Sequence, residues 1–418
     1  MIRALLVLWM ALIGANRLDL AGGSLPAVAT PFLALTPIVI GALVWERWAN
    51  ARPLQLGRAT LGYLLLAALF LAAVGASALA SLDTDTTIAR SVLLLVQLGG
   101  ATAVALMVHD DARALRFVRE GAALGVLLFV VMNLLAVLAF LGALPMTLQV
   151  GPASLRLDSF GYAGFIPRLS GTVLDPNQAG LVLLVYAFLA PRTRWWAIGL
   201  LVLTLSRSAV LGALALGIVS AWQFGVARRP APARRLLLAI AVAVVGLVLV
   251  ARSPATVEDT ARMIAPFAER FGVGEGGSSA EHGALIVRAA AEGSRSLPRA
   301  LLGLGWGASY VVLQDVFPGN RYGNFHSLYG TVFAEAGIVA LVSTLAMLLL
   351  PLARATPWRP VVAAFIVFNL TYQSATEPAF WFLLALAWVA QSSLPARQVA
   401  LAPTRMDALA PSRSDVLA

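Results

Sequence analysis

Histidine is the side chain best suited to moving a proton near neutral pH, and the sequence holds three. His326 lies in RYGNFHSLYGTVFAEAGI, where a long polar segment becomes an apolar run. The dipole at a helix N-terminus disfavours the imidazolium, so a ring placed there stays neutral and able to accept a proton. Tyr329 follows three residues later and shares that helix face. An interfacial histidine without a role is the competing reading. His109, beside Asp110 and Asp111, and His282, after Glu281 in a flexible link, read more simply as solvated residues.

Arginine is the second chemical resource. Arg207, in LTLSRSAVLG, falls between two apolar runs with almost no loop. An ionisable residue at that depth is costly and functional by default; snorkelling to headgroups is the alternative. Arg288, Arg295 and Arg299 precede the turn Gly303-Leu304-Gly305-Trp306-Gly307. Guanidinium groups bind phosphate oxygens in pairs, and glycines let the backbone approach a ligand closely. A basic loop that meets anionic lipid is the plainer reading. Arg168 opens RLSGTVLDPNQAG, where Pro176-Asn177 makes a turn before an apolar run. Asp83-Thr84-Asp85 has the form of a metal-binding acid pair, but such pairs are common by chance, and no other His/Asp/Glu cluster suggests a metal.

The elements that must position these residues are membrane spans. Of the 418 residues, 60% are hydrophobic and 12% charged, and the mean hydropathy is +0.85. A soluble surface cannot be covered with so few charges. A disordered chain, a nucleic-acid-binding domain and an ordinary soluble enzyme are excluded. Without cysteine there are no disulfides, thiolate chemistry or Cys-based metal sites. All 30 basic residues are arginine, and they are scattered, so the net charge of +10 reflects positive loops beside spans.

Apolar runs near 2–15, 27–45, 59–81, 91–108, 117–144, 179–191, 195–205, 208–224, 236–251, 327–350, 360–374 and 379–391 predict twelve spans. The first is read as a retained span rather than a signal peptide. Arg47, Arg52, Arg58, Arg113, Arg116, Arg119, Arg192, Arg194, Arg354 and Arg359, with four arginines at 228–235, fall on one side if the spans alternate. That side is cytoplasmic by the positive-inside rule, and both termini lie there. Two long segments, 145–178 and 252–326, face the other side. The expected architecture is an all-α polytopic membrane protein, with a transmembrane helical domain over 1–391. Short helices are expected in the long loop 252–326, at Ala261 to Phe271 and Ala284 to Ala291 around the flexible GVGEGGSS, and a disordered cytoplasmic tail over 392–418.

Four of these stretches, RLSGTVLDPNQAG, LTLSRSAVLG, an arginine followed by LPRALLGLGWG, and FHSLYGTVFAEAGI, occur in the order found in the O-antigen ligase and polymerase superfamily. The resemblance covers about residues 165–340, with Ser327 where the family often has Asn. It implies a GT-C-like membrane glycosyltransferase of the bacterial inner membrane with a periplasmic active site. The donor would be a glycan on undecaprenyl diphosphate, and a ligase would pass it to the lipid A-core oligosaccharide. Metal-independent, inverting transfer without a cofactor is implied. By matching position, His326 is the general base, and Arg207 and Arg288 hold the diphosphate. Arg168, Asn177, Arg295, Arg321 and Tyr329 are further candidates for binding diphosphate or glycan. The alternatives are an O-antigen polymerase, a protein O-oligosaccharyltransferase and, from another class, a lipid-linked sugar flippase or transporter. The R-x10-G pattern common in polymerases starts at no arginine of either long segment, which favours the ligase. A transporter would place its charges near the bilayer midplane, whereas these candidates gather at one interface.

Overall fold

A computed structural model describes residues 1–21, 30–54, 56–158, 162–163, 166–224, 278–320, 323–353 and 356–391. The first half contributes helices α1 (Ile2–Ala11), α2 (Pro31–Ala49), α3 (Arg58–Ala76), α4 (Thr84–Val108), α5 (Ala112–Phe140), α6 (Pro176–Leu189), α7 (Arg194–Leu203) and α8 (Arg207–Phe224). The second half contributes α9 (Ser278–Ser294), α10 (Leu297–Leu302), α11 (Ser309–Val312), α12 (Leu328–Leu349), α13 (Arg359–Phe368) and α14 (Pro378–Val389). Among the described residues, five helical stretches, Pro31–Ala49, Arg58–Ala80, Thr84–Val108, Ala112–Phe140 and Leu328–Ala353, are long and apolar enough to cross a membrane. The chain is an all-α polytopic membrane protein. Every expected span coincides with a helix except 236–251, which lies outside the described residues, as do Ala261 to Phe271 and the tail 392–418.

The short helices explain where polar chemistry can be housed. At 1.5 Å per residue, α7 and α13, with 10 residues each, run only about 15 Å. That is half of a hydrocarbon core of about 30 Å. Both end early, in the turns Thr204–Ser206 and Asn369–Glu377. Non-helical backbone at such depth is tolerated only where protein covers it or it lines a cavity. Here most of it is covered: Thr204, Ser206, Asn369, Ser374 and Glu377 are buried, while Leu370 and Thr376 are exposed. The central α14 is buried along its whole length, as is nearly all of α6, and α14 packs against α3, α4 and α6.

Two features depart from the expectation. A small sheet forms from β1 (Leu18–Asp19), β2 (Thr147–Val150) and β3 (Ala153–Arg156), in the order β1-β3-β2 and antiparallel throughout. The β2–β3 hairpin turns at Gly151, whose φ of 60° suits glycine. A second pair, β4 (Tyr162–Ala163) and β5 (Ile166–Pro167), follows. In the segment 252–326, the helix expected at Ala284 to Ala291 is longer: α9 begins at Ser278 and takes up the end of the expected flexible link, with His282 on it.

Candidate active site

Six helix ends meet at one end of the bundle. These are the N-termini of α6, α8, α12 and α14 and the C-termini of α7 and α13. Hydrogen bonds join them directly. The Leu328 N–H at the start of α12 lies 3.1 Å from the Asn369 carbonyl and 2.9 Å from that of Tyr372. The Tyr372 hydroxyl donates to Asp175 at 3.5 Å, and Gln178 on α6 donates to Glu377 at 2.5 Å. The Ser208 and Thr371 hydroxyls pair at 2.8 Å. Four helix N-termini against two C-termini leave a net positive bias that favours an anion.

His326 sits at this junction, immediately before Ser327, whose hydroxyl caps α12. Its φ is +52°, in the left-handed region that non-glycine residues adopt uncommonly, histidine more often than most. Asn324 Oδ1 accepts its N–H at 2.8 Å, and the Phe317 ring lies 5.8 Å from the imidazole, centre to centre. Burial pushes the imidazole below the usual 6.5, so the ring is neutral at neutral pH. The helix start therefore presents a neutral imidazole, and burial is the cause, whereas its sequence position pointed to the helix dipole.

Arg207 follows a second strained position. Leu205 has a φ of +54°, and Arg168 braces the turn that contains it. Arg168 Nε donates to the Thr204 carbonyl at 2.9 Å, and Nη2 to the Leu205 carbonyl at 3.2 Å and to Asn177 Oδ1 at 3.5 Å. Strain of this kind costs about 1–3 kcal/mol and concentrates at functional sites. Of three non-glycine residues with positive φ among those described, one is His326 and one lies two residues before Arg207.

The cluster contains acids that the motif reading missed. Asp175 caps α6 through the Asn177 N–H, and burial raises its carboxyl above the usual range, partly offset by that N–H and by Arg168. Burial, reinforced by Asp175, lifts Glu377 to about 8, so it carries its proton at neutral pH. Asn16 completes the network, donating to Gln178 at 2.8 Å. The signal for Asp175 lay in the quoted RLSGTVLDPNQAG stretch. The signal for Tyr372 and Glu377 was the polar run NLTYQSATEP between two apolar segments.

Other candidates lie elsewhere. Arg288, on α9, pairs with Asp315 at 2.7 Å and donates to the Val312 carbonyl. Its helix packs through Leu285 and Ala289 into the small core that holds Phe325, the neighbour of His326. Arg295 is largely exposed and lies 3.7 Å from Glu292. Tyr329 turns its hydroxyl to the Ile366 carbonyl at 3.0 Å, toward α13. Arg321 lies outside the described residues. His109 is remote, its Nδ1 being 2.8 Å from the Leu106 carbonyl. Asp83 caps α4 and accepts the Tyr310 hydroxyl. Among the described residues no three His, Asp or Glu side chains gather as metal ligands would.

The glycine-rich turn approaches protein, not open space, which corrects the ligand-approach reading. A Cβ on Gly303 would lie 2.2 Å from the Glu335 carbonyl carbon, and one on Gly337 would lie 2.2 Å from the Leu301 oxygen. Leu304 donates to the Ala334 carbonyl at 2.8 Å, and the buried Glu335 carboxylate accepts the Gly307 N–H at 2.8 Å. The glycine turn and the EAG of α12 are thus one interlock, which fixes α12 and the histidine before it.

No curated protein matches the chain. Residues 193–345 match the family model described as O-Antigen ligase. That stretch includes Arg207, Arg288, His326 and Glu335, while Arg168, Asp175 and Glu377 fall outside it. Residues 193–345 therefore carry the pattern of the O-antigen ligase family.

Proposed function

We propose that the protein is an O-antigen ligase of the bacterial inner membrane. It transfers a glycan from undecaprenyl diphosphate to the lipid A-core oligosaccharide on the periplasmic face. The observation that carries this reading is a neutral histidine held in strained backbone where four helix N-termini and Arg207 meet. In the reaction, an acceptor hydroxyl attacks the anomeric carbon with inversion. The carbon–oxygen bond to the diphosphate breaks, and undecaprenyl diphosphate leaves with its electron pair. His326 takes the hydroxyl proton. Arg207, the helix N-termini and Arg288 stabilise the charge that develops on the leaving group; Arg288 reaches it by exchanging Asp315 for a phosphate. The glycosyl–diphosphate linkage that breaks supplies the driving energy. Arginine does the electrostatic work that a metal does elsewhere, so transfer proceeds in EDTA.

The arginine-rich ends of the helices support the orientation. Arg3, Arg47, Arg52 and Arg359 lie at the end of the bundle away from His326, and by the positive-inside rule this supports a cytoplasmic side for that end. A lipopolysaccharide gel from a strain lacking the gene tests the reading. Loss of high-mass bands, with long polymer accumulating on undecaprenyl diphosphate, is expected. Persistence of core bearing a single repeat identifies a polymerase instead.

A further inference from the structure

The short helices α9 and α10 bury one face and leave another uncovered. On α9, Leu285 and Ala289 are buried, and Gly293 packs so closely on α12 that a Cβ there would lie 2.5 Å from the Phe333 ring. Arg288 and Glu292 occupy one flank of the helix. The remaining arc is Ile286, Val287, Ala290 and Ala291, all exposed and all apolar. A helix that turned this arc to water would carry polar residues on it. The pattern repeats on α10. Leu297 and Leu301, one turn apart and so on one face, are both exposed, Leu297 to 73%.

The level of this face along the bundle indicates what meets it. A Cβ on Gly337 would lie 2.2 Å from the Leu301 carbonyl oxygen, so α10 ends against the kink of α12. Beyond the kink, α12 and the turn after it run from Ile338 to Ala353, toward the basic end. At 1.5 Å per residue that stretch rises about 24 Å, against a hydrocarbon core of about 30 Å. Gly337, and Leu301 with it, therefore lies within about one helical turn of the far boundary of the core. Ile338, Val339 and Val342 are exposed on the helix that crosses the membrane, so they face lipid. The apolar face of α10 continues that lipid face outward.

Charge points the same way. Arg295, between the two helices, is 71% exposed. Arg288, Arg295 and Arg299 outnumber Glu292 and Asp315 along this edge, which leaves it positive. An apolar arc with an arginine edge is the pattern of a helix lying in a bilayer interface, with its apolar side among acyl chains and its cations at the headgroups.

We propose that α9 and α10 form a membrane-surface element seated in the leaflet opposite the basic end. Val287, Leu297 and Leu301 lie among acyl chains, and the Arg295 guanidinium meets the headgroup of an anionic phospholipid. This placement does not depend on which reaction the site performs, and it gives Arg295 a partner other than a diphosphate donor.

The chain contains no cysteine, so a single introduced cysteine reports one position. Leu297→Cys, Leu301→Cys, Val342→Cys and Gln314→Cys, each carrying a nitroxide, are prepared as full-length protein in nanodiscs of phosphatidylethanolamine and phosphatidylglycerol. Collision with oxygen, which partitions into lipid, is compared with collision with a nickel chelate, which stays in water. Positions 297 and 301 are expected to match the lipid reference at 342 in their oxygen-to-nickel ratio and to exceed the exposed polar position 314 several-fold. If one of the two does not accumulate, the other reads the same quantity. A ratio equal to that at 314 puts α10 in water and overturns the proposal. Low collision with both reagents shows the face covered by protein, from this chain or a second copy, and overturns it too. The headgroup contact is read by a fluorophore on Leu297→Cys, quenched by phosphatidylglycerol or phosphatidylcholine bearing the same acyl-chain nitroxide. Phosphatidylglycerol should be enriched about fivefold at this position, and Arg295→Ala should bring the two lipids level. Equal quenching by both lipids beside the native Arg295 overturns the headgroup contact.

Discussion

The two ends of the helix bundle use the same residue types to opposite effect. At the basic end, charges pair in reach of water. Arg47 grips Asp110 with two contacts of 2.8 Å, Arg52 meets Asp111 at 2.9 Å, and Arg3 meets Glu120 at 3.1 Å. Asp110 is held below the usual carboxylate range, chiefly by its hydrogen bond from Arg47. At the other end, burial raises Asp175 and Glu377 and lowers His326. The basic end tunes its charges by pairing; the buried groups of the other end are tuned by excluding water, while its exposed Arg288–Asp315 pair behaves as the basic end does. The difference follows from helix length: short α7 and α13 stop inside the bundle and leave polar turns where water is scarce. The proton transfer proposed above belongs to the second end.

The sharpest way to break this comparison is to remove the base. His326→Ala should lower the transfer rate about a thousandfold, with unchanged protein in the membrane. Arg207→Ala should cost about a hundredfold, or ~3 kcal/mol of transition-state stabilisation, measured as kcat with saturating donor. Gly303→Ala forces a side chain against the Glu335 carbonyl at a φ of +76°, so the yield of folded protein should fall before the chemistry does. A pH profile sharpens the comparison without mutation. His326 must be neutral to accept a proton, and its pKa lies below 6.5. Activity should therefore be flat through neutral pH and decline in acid with a midpoint below 6.5; a midpoint above that value would contradict the burial argument. At the basic end, Arg3→Ala removes a pair whose arginine side chain is 69% exposed and should leave both rate and stability near wild type.

Much of this was legible in the sequence because bilayer and helix impose simple periodic demands. Apolar runs marked the spans, arginine marked one end, and FHSLYG announced a histidine before a helix. What escaped notice depends on tertiary contact. Nothing local shows that Asn16 on the first span meets Gln178. The glycines of GLGWG carry the same signature whether the backbone they admit is a ligand's or, as here, that of α12. The β2–β3 hairpin was missed because two strands of 4 residues carry too short an alternation to stand out beside long apolar runs. Glu377 was visible but looked like a loop acid, since burial is a property of its neighbours.

The central claim is that the dry end of the bundle performs metal-independent glycan transfer through His326. The most direct measurement is transfer from an undecaprenyl diphosphate-linked glycan to lipid A-core by purified protein in liposomes with EDTA, comparing wild type with His326→Ala. The account predicts product from the wild type and none above background from the variant. Equal product from both, or a wild-type activity that returns only with added magnesium, would contradict it.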